Sequence, residues 1–65
     1  MRDPNRIDKF CDDLKEVWKQ YPDWRFGQLM VNAIGDYMAS NKRDVFYLEE
    51  PEMMTYLRGY VGLKV

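Results

Sequence analysis

Adjacent carboxylates are the side chains of this 65-residue chain with the most obvious capacity for acid–base chemistry, and they occur as Asp12-Asp13 and Glu49-Glu50. A general acid and a general base must reach one substrate, whereas neighbouring side chains on a helix point about 100° apart. We therefore expect Asp12 and Asp13 to lie on a solvated face. The chain has no histidine, so a Ser/His or Cys/His nucleophile pair cannot be built. We predict no catalytic residues and no enzymatic activity.

Metal and phosphate chemistry have weak support in the sequence. A second acidic set could hold calcium or magnesium through oxygen ligands, namely Asp44, Glu49, Glu50 and Glu52. It lacks the glycine and the alternating ligand spacing of an EF-hand loop, and acidic residues at a helix start also stabilise the helix dipole. No GxxxxGK[ST] or GxGxxG pattern is present. We predict neither a metal nor a cofactor.

Composition limits the class of partner. Ten Lys and Arg against eleven Asp and Glu give a net charge of −1, which makes nucleic-acid binding unfavourable because phosphates need a basic surface. There is no stretch of 18 apolar residues and no signal segment, so we expect a cytoplasmic protein that does not span a membrane. The single cysteine, Cys11, falls in an apolar stripe and is expected to be a buried, inert thiol.

Residues 3 to 21 have the pattern of an amphipathic helix. Asp3 can cap it, Pro4 suits its first position, and Pro22 ends it. Its apolar stripe follows steps of three and four: Ile7, Phe10, Cys11, Leu14, Val17, Trp18 and Tyr21. Asp23 is expected to cap a second helix, whose stripe is Phe26, Leu29, Met30, Ala33, Ile34, Tyr37 and Met38. Two such stripes joined by a short turn predict an antiparallel helical hairpin.

The rest of the chain predicts a connector and a third helix. Residues 40–44 are a polar loop in which Asn41 could supply a left-handed helix end, and residues 45–48 are expected to be extended, with Phe46 and Leu48 inserted into the hairpin. Glu49 or Glu50 then caps a short helix that has Pro51 at its first position. Residues 1–65 thus predict one small all-α domain of three helices.

Two glycines on the second helix raise the question of a contact surface. Gly27, Val31 and Gly35 line one border of its stripe, and each interior glycine costs about 0.5–1 kcal/mol relative to alanine. Either the third helix fills this border, or a second protomer or a foreign protein does. Trp24 lies on the same side with Gln28 near it, so the two could join the glycines in a protein contact, unless Trp24 folds over the third helix.

The segments MRDPNRI, YPDWRFGQLMVN and DVFYLEEPE resemble a family of small uncharacterised bacterial and bacteriophage proteins. That family has an MRDP-type start, a PDxRxxQL centre and an FYxE[DE] segment. The matching positions here are Pro22, Asp23, Arg25, Gln28, Leu29, Asn32, Phe46, Tyr47, Glu49 and Glu50. The resemblance implies that Arg25 pairs with Glu49 or Glu50 as a structural lock, and that the protein binds a host or phage macromolecule.

Three functions are compatible with these residues. The first is a non-enzymatic, phage- or prophage-type accessory protein that binds and modulates another protein, with a homodimer as one assembly. The second is a protein that sequesters a small molecule or nucleotide, stacking it on Trp24, Tyr47 or Tyr60 with Arg25 on a phosphate. The third is helix-turn-helix DNA binding, for which the second helix offers Arg25, Gln28 and Asn32.

Overall fold

The computed structural model describes residues 2–63 and contains three α-helices. These are α1 (Asn5–Lys19), α2 (Phe26–Asn41) and α3 (Glu50–Tyr60), and the described residues contain no β-strand. The predicted all-α three-helix class is confirmed. None of the three helices in residues 2–63 combines the length and apolar character that crossing a bilayer requires.

The start of α1 lies one residue later than predicted, with Pro4 at the N-cap, and the start of α2 also differs from the prediction. Asp3 precedes the N-cap, and its carboxylate accepts a 2.9 Å hydrogen bond from the Asn5 N–H at the beginning of the helix. Asp23 does not cap α2, because the segment after Pro22 forms a turn closed by the Trp24 N–H on the Tyr21 carbonyl. The N-cap position therefore passes to Arg25, whose N–H donates to the Gln28 side chain at 2.7 Å.

The end of α2 also differs by one residue from the prediction. Asn41 is still helical, and its side chain donates to the Tyr37 carbonyl at 3.0 Å. The left-handed residue is Lys42, with φ of 53°. The segment expected to be extended then contains a 3₁₀ turn, Val45–Tyr47, capped by the Asp44 carboxylate, which accepts from the Phe46 N–H at 2.9 Å. Phe46 does not insert into the hairpin, because this turn leaves its side chain 81% exposed.

Helix α3 begins and ends with recognisable sequence signals. Glu49 is its N-cap, one of the two caps predicted, and Pro51 is the second residue of the helix and not the first. At the other end the Leu63 N–H bonds to the Arg58 carbonyl and the Gly62 N–H to the Gly59 carbonyl, with Gly62 at φ of 84°. These two bonds form a Schellman motif, which requires a left-handed residue and so favours glycine at position 62.

The core lies where α3 packs on the other two helices. Its cluster of buried side chains, called here the core cluster, is Val17, Leu29, Ala33, Met54, Leu57 and Val61. Arg6 pairs with Glu50 at 2.8 Å near the N-terminal ends of α1 and α3, and Glu16 pairs with Arg58 at 3.0 Å near their C-terminal ends. These pairs show that α1 and α3 run parallel.

The core uses only part of each apolar stripe. On α1, Val17 is buried and Phe10 is half-buried, whereas Cys11 is exposed. Cys11 and Trp18 lie about 100° around the helix from Phe10 and Val17, on a side that α3 does not cover. The expectation that Cys11 is buried is therefore wrong.

Candidate functional site

Trp24 stabilises the turn between α1 and α2. Its ring stacks on Tyr21 with centroids 4.5 Å apart, and its carbonyl accepts a 2.8 Å hydrogen bond from Trp18 Nε1–H. The side chain is half-buried and packs against the core cluster. Trp24 is thus not the exposed anchor that the sequence suggested, because the turn after Pro22 folds its ring inward.

The border of α2 formed by Gly27, Val31 and Gly35 is open. A Cβ atom placed on Gly27 or Gly35 meets no described heavy atom within 4 Å outside its chain neighbours and its own helical backbone, and Val31 is 73% exposed. Helix α3 does not fill this border, because its tyrosines contact α2 on another side, at the Ala33 carbonyl and the Asp36 carboxylate. The alternative that the third helix covers the glycines is therefore wrong.

An apolar groove of about 350 Å³ runs along this side of α2. We call the surface the α2 face and define it by its lining residues, which are Met30, Val31, Ile34, Gly35 and Met38. The sequence placed the two methionines and Ile34 in the core stripe, but Met38 is exposed and the other two are only half-buried. Their spacing is the same for a core and for a binding face, so periodicity alone does not separate the two roles.

The α2 face carries no charge of its own. Asp36 is the only charged residue of α2, and its carboxylate accepts a 3.0 Å hydrogen bond from the Tyr60 hydroxyl on the side towards α3. Gln28 is exposed, but its side-chain oxygen is already used by the Arg25 N–H. The face can therefore make apolar contacts but offers no charged group for recognising an ion.

The ion pairs at the start of α3 differ from the implied lock. Glu49 pairs with Arg2 and Glu50 with Arg6, each at 2.8 Å, so Arg25 is not the cation that holds them. The reason is the parallel arrangement of α1 and α3, which brings their N-terminal ends together. Arg25 follows the other end of α1, where the chain enters α2. The lock therefore joins the N-terminal segment and α1 to α3.

A second open groove, of about 460 Å³, lies between α1 and the start of α2. We call it the α1 groove, and it is lined by Cys11, Leu14, Lys15, Trp18, Lys19, Pro22 and Phe26. The rings of Trp18 and Phe26 are in contact, with centroids 5.4 Å apart. This groove was not predicted from the sequence, because both rings have the spacing of core residues.

The residues proposed for the two alternative functions, ligand stacking and DNA binding, do not form a common site. Tyr47 contacts the Phe46 ring, Tyr60 bonds to Asp36 and Trp24 stacks on Tyr21, so the proposed stacking residues have three different partners. For DNA binding, α2 presents Asn32 to solvent, but Gln28 is engaged in the start of the helix. Within residues 2–63 no group of three or more His, Cys, Asp or Glu side chains is placed to hold a metal ion.

The pKa values of two tyrosines of α3 are raised. Burial raises the pKa of Tyr56 above its usual value of 10.0, and the nearby Asp36 carboxylate raises it further. Burial also raises the pKa of Tyr60, together with its hydrogen bond to Asp36. Both hydroxyls donate to oxygen acceptors in α2, so the neutral form of each tyrosine is the one that the fold stabilises.

The fold and these surfaces define a class of molecule, a small all-α domain with open apolar grooves on α1 and α2. A scan against protein-family models, a search of curated proteins and a search of solved structures each gave no match. The function of the chain is therefore inferred from the arrangement of its own side chains.

Proposed function

We propose that this chain is a non-enzymatic accessory protein of the cytoplasm that binds and modulates another protein through the α2 face. The observation that carries the proposal is the open, uncharged groove of about 350 Å³ beside Gly35, in which Val31 is 73% exposed. The resemblance to small phage proteins supports an accessory role of phage or prophage type. An exposed cysteine in a chain with no second one fits a reducing compartment.

The glycines indicate how close the partner comes. Gly27 and Gly35 lie in regular helix with open space around them, so alanine would fit at either position and would be the better helix former. A glycine there has no packing role inside the described chain. It does allow the backbone of another molecule to approach α2 directly, because glycine has no side chain in the way.

The chemistry of the face favours one kind of partner. A nucleic acid or nucleotide needs cationic side chains at its phosphates, and α2 contains no Lys or Arg. The residues of the α2 face follow helical spacing and include two adaptable methionines. Such a groove fits the apolar side of an amphipathic helix, whose residues at i, i+3, i+4 and i+7 would fill it.

A comparison of bait proteins tests the proposal. We would immobilise the wild-type chain and the variants Val31→Arg and Asn32→Arg, since residues 31 and 32 are both exposed and point about 100° apart. We expect one protein from cells of the source organism to be retained by the wild type and by N32R but not by V31R. The purified partner should then bind V31R on the order of tenfold or more weakly.

Folding controls make the result interpretable. Both variants should keep the helical circular dichroism and the melting temperature of the wild type within a few degrees, because both sites are exposed. Equal loss of the partner with V31R and N32R would show that the α2 face does not determine binding. Equal retention by both would contradict the proposal as well.

A further inference from the structure

Helix α1 leaves a second apolar seam without a partner in the described chain. Ile7, Cys11, Leu14 and Trp18 follow one another at steps of four, three and four, which is the spacing of core positions in a two-stranded coiled coil. Ile7 is 50% exposed, Cys11 is exposed and Trp18 is 36% exposed, while half-buried Leu14 lies between the core and the α1 groove. This seam is on a different surface from the α2 face and does not depend on the function proposed for it.

Charges along the border of the seam are divided between the two halves of α1. Asp8 and Asp12 border its first half, and Lys15 and Lys19 border its second half. Each pair is a like-charge pair at i and i+4, an arrangement that destabilises an isolated helix by a few tenths of a kcal/mol. Opposite charges from a neighbouring helix would relieve both pairs.

We propose that a second copy of this chain occupies the seam, with its α1 antiparallel to the first. A two-fold axis midway between Cys11 and Leu14 sets the acidic half of each border against the basic half of the other. It also brings Ile7 of each copy to the Trp18–Phe26 end of the groove of the other. The interface is self-complementary, as two-fold symmetry requires. Parallel helices in register would instead set like charges together.

Charge reversal tests this pairing. K15E/K19E makes the border wholly acidic and D8K/D12K makes it wholly basic, so each variant should raise the dimer Kd by on the order of tenfold or more. An equimolar mixture of the two should form a heterodimer, recognised by its mass in a native mass spectrum. K9E/R43E has the same change of net charge as K15E/K19E at two exposed sites away from the seam, and it should dimerise like the wild type.

The dimer Kd is the correct readout because the charge distribution of α1 also matches its helix dipole. Acidic residues in the first half and basic residues in the second stabilise the helix by themselves, so a change of melting temperature would not separate the two effects. Recovery of the complex on mixing does separate them, because an isolated helix gains nothing from the other variant. Each sample would be checked for helical circular dichroism.

Cross-linking through the single cysteine tests the orientation. Cys11 of the two copies would lie about 5 Å apart along the helix axes, whereas residue 7 of the two copies would lie about 16 Å apart. A short bismaleimide should therefore join wild-type chains at Cys11 but not C11A/I7C chains, at concentrations where native mass spectrometry shows dimers. Efficient cross-linking of both proteins would overturn the antiparallel arrangement. A wild type that stays monomeric at all concentrations, or that holds a small molecule as a monomer, would overturn the dimer.

Discussion

The hydroxyl of Tyr56 in α3 donates a 2.7 Å hydrogen bond to the backbone carbonyl of Ala33 in α2. The Tyr56 ring also meets the Tyr37 ring edge-on, with centroids 5.0 Å apart. These contacts hold α3 on the side of α2 that carries the core residues. The α2 face lies on the adjoining side and stays open as a result.

The free energy of unfolding should fall at alkaline pH through Tyr56 and Tyr60. The pKa of each is raised in the folded state, so the stability that they contribute is complete below the unfolded value of about 10 and is lost as the pH rises through the folded values. Urea titrations between pH 8 and 11 would measure the decline. The double variant Y56F/Y60F should show a shallower decline, and an unchanged slope would contradict the assignment.

Gly35→Ala should stabilise the chain by about 0.5–1 kcal/mol, and Gly27→Ala should stabilise it by less, because Gly27 is only the second residue of α2. Alanine is the better helix former, and no described atom within 4 Å obstructs a Cβ at either site. Gly62→Ala is the matched control, since its φ of 84° would force an alanine into a left-handed conformation and cost about 1 kcal/mol. Thermal unfolding would give all three values. Destabilisation by G35A would mean that the space around α2 is not open.

Leu29→Ala should lower the free energy of unfolding by about 2–5 kcal/mol, because Leu29 is fully buried between the helices. A domain of this size has little stability to lose, so we expect much of the variant to be unfolded at 25 °C. Phe46→Ala removes a larger side chain, yet it should change the stability by less than about 0.5 kcal/mol because the ring is exposed. A similar loss of unfolding free energy in both variants would contradict the exposure of Phe46 in the 3₁₀ turn.

Helix positions could be predicted from the sequence because their signals are local. Asp3, Pro22 and Pro51 act within a few residues of their own positions, and each marks a helix boundary that the structure contains. The errors at Asp23 and Asn41 arise where a neighbouring residue competes for the same role. Gln28 supplies the hydrogen bond at the start of α2, and Lys42 takes the left-handed conformation at its end.

Which apolar residues are buried could not be predicted, because burial depends on how the helices are arranged. Val17 and Trp18 belong to one continuous stripe, yet α3 covers only the first completely. The same limit applies to the candidate site. Gly27 and Gly35 stand out in the sequence by their small size, with Val31 between them. Met30, Ile34 and Met38 have the spacing of core residues and join the α2 face only because α3 lies elsewhere.

Photo-cross-linking from position 31 is the most direct test of the claim that the α2 face binds another protein. A photoreactive phenylalanine analogue would replace Val31 in one sample and exposed Glu52 in the control, and both chains would be irradiated in cells of the source organism. We predict one specific product from position 31, with the mass of this chain plus a different protein, and no such product from position 52. The claim would be contradicted by the same products from both positions, by no product from position 31, or by a product with the mass of two copies of this chain.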